Sequence, residues 1–174
     1  LVVKSTFSDG AGTLISNIEC KNKTDDVAFT DKLASGIANM GGLTQFRVAL
    51  DAQDAAAGRK VFQDIAAAGI SVSFLNLSEK DAMFATFSAD TDRTCKVLKG
   101  SGFNFVCNRN CAKVTVILAA RRGMYGLMAK FVNALTAQGI GILQTVDSDN
   151  TISAIIKEEK MTAAVQSLHK EFSL

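Results

Sequence analysis

The sequence predicts an α+β protein made of two ferredoxin-like βαββαβ plaits, the first inserted into the second. Three observations carry that prediction. From Thr44 onward the chain reads strand, helix, strand, strand, helix, strand, which is the order of a split βαβ unit. A shift of 70 residues then lays the rest of the chain on this first copy, with Lys60 on Lys130, Ala67 on Ala137, Gly69 on Gly139 and Ile70 on Ile140. Finally, the second copy stops after its second helix, at Leu174, one strand short of a complete sheet. An open sheet edge is normally paired or covered, and the apolar stretch 33–38 ahead of the first copy is the spare strand that could fill it.

Each element follows from local pattern. Residues 1–7 (LVVKSTF) read as an extended strand leading into the turn-rich SDGAGT, and 19–30 (ECKNKTDDVAFT) as a polar loop or linker. Thr44–Leu50 alternates as a strand should. Val61, Phe62, Ile65 and Ala68 share one helical face, and Gly69 stands where that helix should stop. SVSFLNL and MFATFSA are the next two strands. Asp90 or Thr91 can cap a helix carrying Cys95 and Leu98, which the glycines at 100 and 102 end. FNFVCN closes the first copy and AKVTVILA opens the second. Met128, Phe131, Val132 and Leu135 give the third helix its apolar face, ILQTV and TISAII flank the turn DSDN, and Met161, Val165, Leu168 and Phe172 stripe the last helix.

Composition narrows the function. With 174 residues, 48% of them apolar, the chain can bury one sizeable core or two small ones. A net charge of +2 with 21% charged residues provides no basic field for nucleic acid. There is no apolar run of about 18 residues and no secretory signal pattern, so a cytoplasmic protein without membrane association is expected. Cys20, Cys95, Cys107 and Cys111 form no CxxC pair and lie far from the single histidine, His169, so a zinc site is not expected. His169 falls inside a helical pattern, where packing or surface exposure explains it better than catalysis. Proline and tryptophan are absent, which leaves tight turns to Gly, Asn, Asp and Ser.

Several stretches, taken in order, resemble one family. KSTFSDGAGT at 4–13, SGIA at 35–38, TQFRV at 44–48, AGISVSF at 68–74, RNCAKVTV at 109–116, LQTVDS at 143–148 and LHKEF at 168–172 look like the C-terminal regulatory part of a bacterial aspartokinase. The single-function, diaminopimelate- or lysine-regulated type of Gram-positive bacteria is the nearest in pattern. The resemblance implies tandem ACT domains: residues 1–32 a connector from a kinase domain, 43–111 the first ACT domain, and 33–42 with 112–174 the second. It implies regulation rather than chemistry, because the family's Lys-Phe-Gly-Gly kinase signature is missing from this stretch and no phosphate-cradling loop replaces it. No catalytic residue and no metal site are expected within the fragment; ATP and magnesium belong to the parent kinase domain. The implied partners are a second copy of the chain, its own kinase domain and an end-product amino acid, lysine first among them.

The resemblance also places the effector. In the family, the loop between the first strand and first helix of an ACT domain offers backbone N–H groups at a helix N-terminus to a carboxylate. Here that loop supplies Asp51, Gln53, Asp54, Ala55 and Ala56, and the end of the next strand brings Phe74, Leu75 and Asn76. Asp51 and Asp54 are equally read as ordinary loop and N-cap carboxylates. The family's Asp-x-Pro-Gly appears as Gln53-Asp54-Ala55-Ala56, and its glutamine at the strand end as Asn76; alanine reaches φ > 0 less cheaply than glycine, so an altered loop backbone is expected. Arg121, Arg122, Tyr125 and Gly126 in the second copy's loop, and Asp147 and Ser148 in its turn, are secondary candidates. Arg121 and Arg122 could grip a carboxylate, or simply be a solvated loop pair. A free-standing ACT-type sensor or plait-type interaction module, related only by ancestry, is the alternative reading.

Overall fold

The computed structural model describes residues 2–3, 13–14, 34–54, 56–118 and 125–174. The chain divides into two units, Leu1–Thr30 and Asp31–Leu174. In the first, β1 (Val2–Val3) pairs antiparallel with β2 (Thr13–Leu14). The second is a six-stranded antiparallel sheet with four helices: β3 (Ala34–Ala49), α1 (Ala57–Ala67), β4 (Ser73–Leu77), β5 (Asp81–Phe87), α2 (Thr91–Gly100), β6 (Phe105–Leu118), α3 (Leu127–Thr136), β7 (Ile142–Asp147), β8 (Thr151–Lys157) and α4 (Met161–Glu171).

The sheet order is β4-β5-β3-β6-β8-β7. Two of these strands are long, and each contributes to both halves. Residues 43–49 of β3 lie between β5 and residues 105–111 of β6, completing a four-stranded group with β4 at its edge. Residues 34–40 of β3 pair with 113–118 of β6, which in turn pairs with β8, and β7 forms the other edge. The 33–38 strand thus lies next to the strand that opens the second copy.

The repeat is visible in three dimensions. Residues 81–87 and 151–157 are the matching strands, 88–90 and 158–160 the matching 3-10 turns, and the helices after them begin at 91 and 161. Helix ends match as well. The N–H of Ile70 returns to the carbonyl of Ile65 (3.2 Å) and that of Ile140 to Leu135 (3.1 Å), over Gly69 and Gly139 at φ +65° and +64°. This closure needs a left-handed residue, and the returning isoleucines are buried.

Two sequence expectations changed. The expected strands 33–38 and 44–50 are not separate: residues 34–38 and 44–49 belong to one strand of 16 residues, and residues 105–108 of FNFVCN and 112–118 of AKVTVILA likewise to one of 14. In both, the interruption is a bulge rather than a break. Register shifts around Met40–Gln45, Gly42 takes φ +69° and Asn110 φ +54°, so both strands bend at the same level. The Asp90 side chain does not cap α2. Its carboxylate pairs instead with Arg93 (3.4 Å), and its carbonyl accepts from Thr94 Oγ1 (2.8 Å).

Each half has its own core. Phe46, Val48, Val61, Ile65, Phe84 and Leu98 pack beneath α1 and α2. Val114, Val116, Phe131, Leu135, Ile152 and Leu168 pack beneath α3 and α4. Alternation along the strands sends Leu43, Ala85, Cys111 and Ile155 to the opposite face, where they make a third, smaller cluster. On that face the sheet curls until its edge strands meet: the Gln144 side-chain amide donates to the carbonyl of Phe74. Gln45 joins in, accepting from Asn108 Nδ2 (2.9 Å) and donating to Gln144 Oε1 (3.5 Å). No helix among the described residues is long and apolar enough to cross a membrane.

Candidate effector site

The loop from β3 to α1 is a pair of turns closed by its own aspartates. Asp51 Oδ1 accepts from Gln53 N (2.9 Å) and Asp54 Oδ1 from Ala56 N (2.8 Å), while Asp54 N and Ala57 N bond to the carbonyls of Asp51 and Asp54 (3.0 Å each). Such side-chain to backbone bonds are what Asp provides at a helix start. One oxygen of each carboxylate is therefore committed to the turn. The Oδ2 atoms have no protein donor among the described residues.

These aspartates border a hollow of about 340 Å³, and the opposite wall is the turn after α2, with Gly102, Phe103 and Asn104. Leu50 and Phe103 give it apolar surface, and no lysine or arginine among the described residues lines it. Next to it, sharing Ala49 and Asn104, lies a second hollow of about 430 Å³ lined by Arg47, Lys80, Asp81 and Val106. Both are in the size range of small-molecule sites, roughly 300–1,000 Å³. In the second hollow Arg47 grips Asp81 through Nε (2.9 Å) and Nη2 (2.7 Å). The Ser78 hydroxyl, bonded to Asp81 at 2.8 Å, and then this guanidinium hold the Asp81 carboxyl below the usual carboxylate range. Lys80 has no carboxylate partner among the described residues.

The expected residues separate into groups. Asp51 and Asp54 line the acidic hollow; Gln53 is exposed beside it and contributes its N–H to the Asp51 turn. Ala55 lies outside the described residues. Ala56, the residue before α1, is right-handed (φ −92°, ψ −12°). At the equivalent position in the second half Gly126 takes φ +78°. At this position the two copies therefore differ in backbone conformation.

Phe74, Leu75 and Asn76 lie on the edge strand β4 and do not line either hollow. Phe74 itself is left-handed (φ +58°) at the β4 bulge, which aims its carbonyl at Gln144. Leu75 is 50% exposed. Farther along β4, Leu77 sits against Gly58 of α1, where a Cβ would come within 2.9 Å of the leucine methyl. Of the second-half candidates, Arg121 and Arg122 lie outside the described residues, Tyr125 is 96% exposed, and Asp147 and Ser148 are exposed in the β7–β8 turn, with Ser148 Oγ 2.7 Å from Thr151 Oγ1. Sequence reasoning missed Gly102–Asn104, Arg47 and Lys80. The TQFRV match contained Arg47, but only folding brings the 102–104 turn beside Asp51. No group of three or more His, Cys, Asp or Glu suited to a metal occurs among the described residues.

Two copies of a βαββαβ plait on a shared sheet, with a ligand-sized hollow at a strand–helix loop, make an ACT-like fold. Residues 106–170 match the ACT domain family. Over 172 residues the chain is 34% identical to Aspartokinase 1 of Bacillus subtilis, an alignment covering 99% of this chain and 42% of that protein. In fold it is similar to the ligand-free regulatory subunit of aspartate kinase from Thermus thermophilus (TM-score 0.72, 23% identity, 81% of this chain and 99% of that one). It is also similar to E. coli aspartokinase III in complex with lysine and aspartate, in its T-state (TM-score 0.66, 19% identity, 80% of this chain and 33% of that one). The chain is thus similar to the ACT-containing regulatory regions of bacterial aspartokinases, and it spans less than half the length of the curated relatives it matches.

Proposed function

We propose that the chain is the feedback-sensing region of a cytoplasmic aspartate kinase, and that it binds lysine and lowers the activity of the kinase domain to which it is joined. In this reading residues 43–111 are one ACT domain, 33–42 with 112–174 the other, and 1–32 the connector. The parent enzyme transfers phosphate from ATP, with magnesium, to L-aspartate, and the regulatory regions pair as a homodimer without nucleic acid or membrane.

The acidic hollow is the observation that carries the choice of effector. Its only charged lining residues among those described are Asp51 and Asp54, each with an oxygen not used by the turn. A ligand with two ammonium groups and a methylene stem suits two carboxylates above Leu50 and Phe103; threonine, with one ammonium and no stem, suits them less. The ligand carboxylate would be met by Lys80 in the adjoining hollow. Inhibition then follows from linkage: lysine shifts the kinase by no more than its difference in affinity between the active and inactive states.

The test is the full-length enzyme assayed with rising lysine. Inhibition that is relieved in Asp51→Asn and Asp54→Asn, with uninhibited activity unchanged, supports the proposal. An enzyme insensitive to lysine, or equally inhibited in both variants, would contradict it.

A further inference from the structure

Outside the candidate site, the densest reactive chemistry is a thiol pair between α2 and β6. Cys95 lies on the buried side of α2 and Cys107 on the helix-facing side of β6; both are half-buried and pack against the first-half core. An ion pair fixes the two elements at the same place: Arg109 Nη2 contacts Asp92 Oδ1 at 2.6 Å. Asp92 is one helical turn before Cys95, and Arg109 two residues beyond Cys107, so the clamp ties together the segments of α2 and β6 that carry the two cysteines. Burial first, and then the neighbouring Cys95, raise the Cys107 thiol, while the Arg109 guanidinium acts in the opposite sense.

We propose that Cys95 and Cys107 form an oxidation site, a thiol pair that hydrogen peroxide converts into a disulfide stapling α2 to β6. Two half-buried cysteines on elements packed against one core, with the Arg109–Asp92 ion pair joining those elements, are suited to this. Cys95 attacks first. Its thiolate breaks the peroxide O–O bond and becomes a sulfenic acid, and the other peroxide oxygen leaves as water. The Cys107 sulfur, its proton lost to solvent, then attacks the Cys95 sulfur, forming the S–S bond and expelling the sulfenic oxygen as a second water. Two thiols are oxidised and one peroxide is reduced. Cys107 takes the second role because burial pushes its thiol up to about 11, leaving little thiolate for a first attack. Cys111, buried and donating to the carbonyl of Asn108 (3.1 Å), stays outside the reaction. The covalent ring so formed contains residues 102–104, the wall facing Asp51 and Asp54.

The experiment is peroxide treatment of the folded chain, alkylation of remaining thiols, and peptide mapping without reductant. A cross-linked peptide joining Cys95 to Cys107, two of the four thiols lost, and full recovery with dithiothreitol are expected. In Cys107→Ser the link disappears and dimedone traps a sulfenic acid on Cys95; in Cys95→Ser neither product forms. The proposal is overturned if both peptides stay unlinked in folded protein, if the link runs to Cys20 or Cys111, or if it joins two chains.

Discussion

Asp81 shows how much one carboxylate can be shaped by its neighbours. Because Ser78 and Arg47 depress its folded-state value below 3.8, its stabilising contribution is present above that pH and is lost as pH falls through the folded value. Urea unfolding from pH 6 downward should therefore show the wild type losing stability below about pH 4 and Asp81→Asn losing less over the same range. The Cys107 thiol behaves in the opposite sense. Burial raises it from 9.0 to about 11, so its contribution is intact below pH 9 and disappears as pH rises toward 11. Under reducing conditions Cys107→Ala should flatten the alkaline side of the stability curve. Residue-level chemistry was partly legible beforehand: the loop-carboxylate reading of Asp51 and Asp54 is what the structure shows, since one oxygen of each closes the turn, while the other has no donor among the described residues. The wall formed by Gly102–Asn104 was not legible, because its nearness to Asp51 comes from the fold and not from any local pattern.

At the scale of elements, the bends of β3 and β6 are held from one place. Lys157 Nζ donates to the carbonyl of Arg109 (3.1 Å), and the Glu158 carboxylate accepts from Gly42 N (3.2 Å), so the end of β8 secures both kinks. The glycines here are needed for two separate reasons. Gly42 is left-handed, and a Cβ on Gly41 would lie 2.3 Å from Glu158 Oε1. Gly42→Ala should cost about 1–2 kcal/mol by urea unfolding, the price of placing an L-residue in that region. Gly36→Ala, in the same strand with open space around it and an ordinary φ, should change stability by less than about 0.5 kcal/mol. The Gly41-Gly42 pair is also why the sequence suggested two strands where there is one: glycine signals a break and a bulge alike, and only the pairing partner decides between them.

The larger unit, Asp31–Leu174, is two copies of one plait sharing two strands. The repeat was readable because helix-ending glycines and core positions recur at a constant interval, and the missing strand because a plait cannot close without it. The curl that joins Gln144 to Phe74 left no mark in the periodicity, since both residues sit in ordinary strand patterns. Since β3 and β6 each supply both cores, the halves should unfold together. Phe46→Ala and Phe131→Ala should each cost about 3–5 kcal/mol, and each should retain one transition, coincident by far-UV circular dichroism and by NMR signals from either half. Calorimetric titration of the chain with lysine, threonine and meso-diaminopimelate, repeated on Asp54→Ala, tests the sensing role most directly. Saturable heat with lysine that is lost in Asp54→Ala is the predicted result; no heat with any of the three in folded, dimeric protein would contradict it.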